Sequence, residues 1–168
     1  MDMFAEVTKE QKERGYIEVT DNEIERILFP KGIEIFSRQT ILDLLNKNNF
    51  KESDVTDVYL PDSVIIILDN CFENFPELWT FSTNRETSNL QYIGEFAFAN
   101  CKKLYHVDFP NSLRYIGTDA FKGAKVDDIN IMNLYSIVDY ISKDAFGIRE
   151  ITEKRLKDKI INRKDDIK

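Results

Sequence analysis

Between Leu90 and Phe121 one pattern occurs twice. Leu90-x-x-Ile93-Gly94-x-x-Ala97-Phe98 returns, 23 residues on, as Leu113-x-x-Ile116-Gly117-x-x-Ala120-Phe121. A fixed interval in the twenties predicts a solenoid. Each copy is a supersecondary unit too small to bury its own apolar side chains, so it must stack on the next one.

The pattern extends in both directions. An Ile five residues before a Phe recurs as Ile67 with Phe72, Ile93 with Phe98, Ile116 with Phe121, and Ile141 with Phe146. Val64, Leu90, Leu113 and Val138 stand three residues before each Ile, and Ile33, Phe36 and Ile41 keep the same offsets in a degenerate first copy. The linking segments repeat as apolar-x-x-apolar-x-apolar. They read Ile24-x-x-Ile27-x-Phe29-Pro30, Val55-x-x-Val58-x-Leu60-Pro61, Leu104-x-x-Val107-x-Phe109-Pro110 and Val126-x-x-Ile129-x-Ile131, with Leu78-x-x-Phe81 as a partial copy. We read these segments as short strands, although Thr20 and Glu23 have capping-box spacing that would suit a helix from Ile24. Repeats then end near Ile41, Phe72, Phe98, Phe121 and Phe146, at intervals of 31, 26, 23 and 25 residues.

The unit resembles the BspA-like leucine-rich repeat, Leu-x-x-Ile-x-Leu-Pro-x-Ser-Leu-x-x-Ile-Gly-x-x-Ala-Phe-x-x-Cys. Leu104 to Phe121 carries the match, and Phe98-Ala99-Asn100-Cys101 supplies the closing cysteine. The resemblance spans residues 24–147 and implies a non-enzymatic protein of the adhesion and protein-binding kind, mostly secreted or surface-located. The expected fold class is an α/β repeat, a leucine-rich-repeat solenoid of about five repeats with short strands. Its expected parts are a helical N-terminal cap segment (1–23), the repeats (24–147) and a charged C-terminal helix or tail (148–168).

Each buried aliphatic or aromatic side chain stabilises by about 1.5–3 kcal/mol, and each repeat offers five or six. Stacking several repeats is what offsets the entropy of ordering the chain. Gly94 and Gly117 are expected where the backbone takes a positive φ or meets a neighbour closely, and Pro30, Pro61 and Pro110 where a strand ends. Two insertions interrupt the period, at 42–54 and at Thr83–Thr87. Both are expected as loops on the solenoid flank, the first opening with a helical turn over Ile41–Leu45. Cys71 and Cys101 fall in small apolar columns and are expected as buried, reduced thiols.

The net charge of −7 disfavours nucleic-acid and anionic-membrane partners. No apolar run is long enough to span a bilayer, and Met1–Glu6 lacks the features of a signal peptide. The corresponding expectation is a cytoplasmic or virion-associated protein. In contrast to the acidic remainder, Ile148–Lys168 holds eight Lys/Arg against five Asp/Glu. It reads as a helix that either caps the last repeat or docks onto a partner or a second copy.

Superposing the repeats gives the candidate binding rows. Outward positions of the linking strands align Glu25, Thr56, Trp79, Tyr105 and Asp127, then Arg26, Asp57, Thr80, His106 and Asp128, then Leu28, Tyr59, Ser82, Asp108 and Asn130. The only Trp thus falls beside Tyr105, near Tyr59 and His106, a composition typical of protein-binding anchors. The competing reading turns Trp79 inward to fill an imperfect third repeat. A second row, Ile66, Tyr92, Tyr115 and Tyr140, is either a packing ladder or a tyrosine-rich face.

Catalysis finds little support, because His106 near Asp108 without a nucleophile makes no triad. One His and two buried Cys offer no zinc spacing, and no phosphate loop or dinucleotide motif occurs. We therefore expect no cofactor and no metal, and a protein partner. The main reading is a non-catalytic interaction module. The alternatives are a structural component of a larger assembly, such as a phage or virus particle, and an acidic inhibitor of a basic protein.

Overall fold

The computed structural model describes residues 16–20, 23–29, 32–134, 137–142 and 144–146. Its organising element is a parallel sheet of five two-residue strands: β3 (Ile35–Phe36), β5 (Ile66–Ile67), β7 (Tyr92–Ile93), β9 (Tyr115–Ile116) and β10 (Tyr140–Ile141). They pair in the order β10-β9-β7-β5-β3. Register joins Phe36, Ile67, Ile93, Ile116 and Ile141 in one file. Phe36, Ile67, Ile93 and Ile116 have no exposed surface, and Ile141 packs against the core partly buried. Strands this short would not persist alone. The bonds Ile65 N–H to Glu34 O, Gln91 to Ile65, Arg114 to Gln91 and Asp139 to Arg114 (2.7–2.9 Å) continue the ladder beyond them.

After each of these strands the chain turns, and the turns stack as well. Phe72 N–H donates to Ala97 O, Phe98 to Ala120 and Phe121 to Ala145, at 2.6–2.7 Å. The turns place one phenylalanine per coil inside. Phe36, Phe72, Phe98, Phe121 and Phe146 form a continuous pile, with centroids 4.9–5.6 Å apart and planes within 9° of parallel. In the degenerate first copy the ring comes from the strand position, Phe36, because Ile41 is taken up by a helix.

The third side is a parallel sheet of β4 (Asp57–Tyr59), β6 (Thr80–Ser82) and β8 (His106–Val107). Its inward residues Val58, Phe81 and Val107 are in register and fully buried. Phe81 meets Phe72 and Phe98 edge-on, at 5.9 and 4.8 Å, and so ties this sheet to the phenylalanine pile. The coil is thus a three-sided tube whose apolar columns share one core.

The glycines do one of the two things expected of them. Neither Gly94 nor Gly117 has a positive φ. Both are sites of close approach: a Cβ on Gly94 would sit 2.6 Å from Asp69 N, and one on Gly117 would sit 2.8 Å from Glu95 N. Half of the left-handed turn positions among the described residues fall to asparagines, Asn70, Asn74 and Asn100 among them (φ 57–62°), residues that tolerate that region.

Several expectations need correction. The helix proposed for Met1–Gly15 lies outside the described residues, as does the C-terminal helix of 148–168. The described part of the N-terminal segment is a strand, β1 (Tyr16–Thr20), paired antiparallel with β2 (Glu23–Leu28). The β-branched and aromatic run Tyr-Ile-Glu-Val-Thr suits a strand. Ile24–Phe29 is accordingly extended, not helical. It lies against β4 without entering the three-stranded sheet.

The 42–54 insertion is not a plain loop either. Its first half belongs to helix α1 (Arg38–Lys47), capped by Ser37, whose Oγ accepts from Thr40 N–H, and anchored by buried Ile41, Leu44 and Leu45. A 3-10 turn, Glu52–Asp54, follows. The Thr83–Thr87 insertion is a loop, held by Asn84 Oδ1, which accepts from the N–H groups of Glu86 and Thr87.

The fourth linking segment also departs from its pattern. Val126–Ile131 starts like its predecessors, with Asp127 N–H donating to Tyr105 O at 3.0 Å. It then becomes helix α2 (Asp128–Leu134), with Ile131 N–H donating to Asp127 O. Met132 stands where Pro61 and Pro110 end two of the earlier segments, which leaves helical bonding open; the third, with Asn84 in that place, is nonetheless a strand.

Candidate functional site

Two rows of aromatic side chains face outward, one on each sheet. On the three-stranded sheet the register sets Thr80 between Asp57 and His106, and Tyr59 beside Ser82. The preceding row is fixed by Trp79 N–H to Thr56 O (2.7 Å) and Tyr105 N–H to Trp79 O (3.1 Å). That places Trp79 and Tyr105 as neighbours, with ring centroids 5.8 Å apart and planes 30° from parallel. Trp79 is 54% exposed and Tyr105 46%. The inward reading of Trp79 is therefore wrong. Leu78 and Phe81 already occupy the core of the third repeat, with no exposed surface on either.

Tyr59 is exposed too, but it stands opposite Ser82 and joins no ring contact with the pair among the described residues. His106 and Asp108 do meet: Nε2 lies 3.3 Å from Oδ1, both side chains half exposed. This is an ion pair when the imidazole is protonated, and in such surroundings it contributes little to stability. Thr83 donates its hydroxyl to the carbonyl of Asp108, at 3.0 Å. The remaining members of the rows, Asp127, Asp128 and Asn130, belong to the start of α2, not to a fourth strand.

On the five-stranded sheet Ile66, Tyr92, Tyr115 and Tyr140 are in register. Tyr92 and Tyr115 stack at 4.5 Å with planes 2° apart, and Tyr115 and Tyr140 at 4.9 Å and 11°. Tyr92 and Tyr115 are half-buried by their neighbours, whereas Tyr140 is exposed. The Tyr92 phenol is held above its ordinary range, first by desolvation and then by the neighbouring Tyr115 and the carboxylates of Asp69 and Glu95. Ile35 and Leu68 extend this side as exposed apolar residues at its N-terminal end.

Both cysteines are fully buried, and neither is in a disulfide. Cys101 Sγ–H donates to Phe72 O, which makes it a rung-to-rung link. Burial pushes its pKa up to about 12 and that of Cys71 higher still. These are thiols, not thiolates, at neutral pH. Among the described residues, no group of three His, Cys, Asp or Glu could hold a metal ion. No helix among them is long and apolar enough to cross a membrane.

A parallel coil with one short strand, one phenylalanine turn and one linking segment per repeat defines a leucine-rich-repeat solenoid. The chain belongs to the BspA-type leucine-rich repeat family, whose model matches residues 23–152 in six copies. The five repeats read from spacing alone are fewer than those six. No curated protein and no solved structure gave a significant match. The family is one of repeat scaffolds for protein interaction, and residue roles rest on geometry alone.

Proposed function

We propose that this chain is a non-catalytic protein-binding module whose contact surface is the outer face of the three-stranded sheet, anchored by Trp79 and Tyr105. One observation carries this reading. The chain's only tryptophan is held out in solvent, stacked on a tyrosine, while the phenylalanines that could fill a core already do so. Exposed Trp and Tyr bring large contact area with few rotatable bonds, the chemistry of binding hot spots. Tyr59, His106 and Asp108 offer polar groups around the pair. The tyrosine ladder is better explained as packing, because its three rings stack in succession and two of them are half-buried.

The test is affinity capture from the native source with the full chain, followed by the Trp79→Ala/Tyr105→Ala double variant. A specific partner should be lost while the melting temperature stays within a few degrees of wild type, since exposed substitutions shift stability by about 0.5 kcal/mol or less each. Retained capture by the double variant would overturn the assignment, and so would collapse of its stability. The two alternatives make different predictions. A component of a particle should co-purify with other copies or with the particle. An inhibitor of a basic protein should release its target as salt rises.

A further inference from the structure

The three-stranded sheet stops one strand short. Where a fourth strand would lie beside β8, the chain turns into α2 and leaves a pocket of about 290 Å3. Val107 and Phe109 supply its apolar lining, and Thr83, Arg85, Asp108, Asn130 and Asn133 its polar one.

Three observations say what would fit. The side-chain nitrogen of Asn130 is buried and has no hydrogen-bond partner. A buried donor without an acceptor is uncommon and destabilising, so an acceptor brought to it is stabilising. The pocket also holds one cation and one anion that do not neutralise each other: no ion pair joins Arg85 to Asp108 among the described residues. Arg85 Nε reaches only Asn111 Oδ1, at 3.4 Å, while Asp108 faces His106. Thr83, finally, already spends its hydroxyl proton on the Asp108 carbonyl.

A site with balanced formal charges gives a free ion no net attraction. It instead orients a neutral dipolar group, with the acceptor end towards Arg85 and Asn130 and the donor end towards Asp108. We propose that this pocket holds a peptide amide of the partner chain. The amide carbonyl accepts from Asn130 Nδ2 and from Arg85, and its N–H donates to the Asp108 carboxylate. Val107 and Phe109 cover the adjoining carbon atoms. Asn130 lines the pocket, and because its Nδ2 is buried in the free protein the proposal requires this side chain to turn on binding. The proposal rests on the reading of this sheet as a protein-binding face, which it extends from the aromatic pair to a polar subsite beyond the His106–Asp108 contact.

The experiment is a titration of the 15N-labelled full chain with N-acetylglycine N-methylamide, with sodium acetate and methylammonium chloride as charged controls. The peptide probe should shift the Asn130 side-chain signal and the Val107 and Asp108 amides saturably, with half-saturation in the millimolar range. Both ions should bind at least fivefold more weakly. Asn130→Asp, which replaces the donor by an acceptor of the same shape, should weaken the probe at least tenfold. Arg85→Gln, on the exposed loop, should weaken it severalfold in a protein that folds as wild type. The absence of a saturable shift up to the solubility of the probe would overturn the proposal, as would acetate binding as well as the amide. The Trp79→Ala/Tyr105→Ala capture assay is read separately, so failure of the binding face and failure of the pocket are distinguishable.

Discussion

Adding one methyl group to Gly94 should loosen the coil. In a backbone conformation open to any residue, Gly→Ala ordinarily stabilises by about 0.4–1 kcal/mol, because the unfolded chain loses freedom. Gly94 has no positive φ, so that gain is available to it. Opposing it is contact with the preceding rung. The new Cβ would stand 2.6 Å from Asp69 N and 2.8 Å from Leu68 C, and these are backbone atoms that cannot swing aside. It would also press on the Asp69 carboxylate, whose Oδ1 accepts from Glu95 N–H at 2.8 Å. Overpacking of this kind costs about 1–3 kcal/mol, so the net effect should be a loss of about 1–2 kcal/mol. At about 2–4 °C per kcal/mol for a chain of this size, the melting temperature should fall by about 2–8 °C. Urea unfolding followed by circular dichroism measures the loss directly, with an unchanged m-value expected. Gly117→Ala should behave alike, since its Cβ would meet Glu95 N at 2.8 Å and Gly94 C at 2.9 Å. A Gly94→Ala protein as stable as wild type, or more stable, would refute the claim that these glycines set the spacing of the rungs.

The phenylalanine pile and the thiols give two further tests. Phe98→Ala removes a buried ring stacked on both sides and touched edge-on by Phe81, so urea unfolding should show a loss near the upper end of about 3–5 kcal/mol. Phe146→Ala, which removes a ring with one stacked neighbour among the described residues, should lie near the lower end; equal losses would deny that stacking adds to burial. Cys71 and Cys101 should resist a thiol reagent at pH 8 in the native protein and react at once in denaturant. Their folded pKa values are raised, so stability should hold below pH 9 and fall as the pH climbs from about 9 towards about 12, where the unfolded chain gains by ionising. Cys101→Ser measured across that range should flatten the decline.

Period-locked residues were legible from the sequence, and residues that break the period were not. Ile67, Ile93, Ile116 and Ile141 recur at fixed offsets from a phenylalanine, and each recurrence excludes a shifted register. Their alignment in one file follows from that spacing. Val126-x-x-Ile129 failed as a strand because a three-residue apolar spacing is common to this repeat and to a helix. The missing proline at Met132 permits the helix without dictating it, since Asn84 holds the same place after β6 and that segment stays extended. β1 has no internal copy to compare against, and its strand character rests on the composition of Tyr16–Thr20 alone. Trp79 read either way, because it directly follows the buried column residue Leu78. The Arg85–Asn130 pocket had no sequence signal at all, since it exists only because α2 replaces a strand.

The parallel ladder from β3 to β10 has consequences for how the molecule opens. Among the described residues, each inner strand of this sheet is hydrogen-bonded only to the one before and the one after. Amide protons near Ile93 and Gly94 should therefore exchange with solvent most slowly. Those at Ile35 and Tyr140 should exchange sooner, with a graded protection profile in place of a single plateau. A partner held across β4, β6 and β8 would act as a splint, slowing exchange over several coils at once, including coils it never touches.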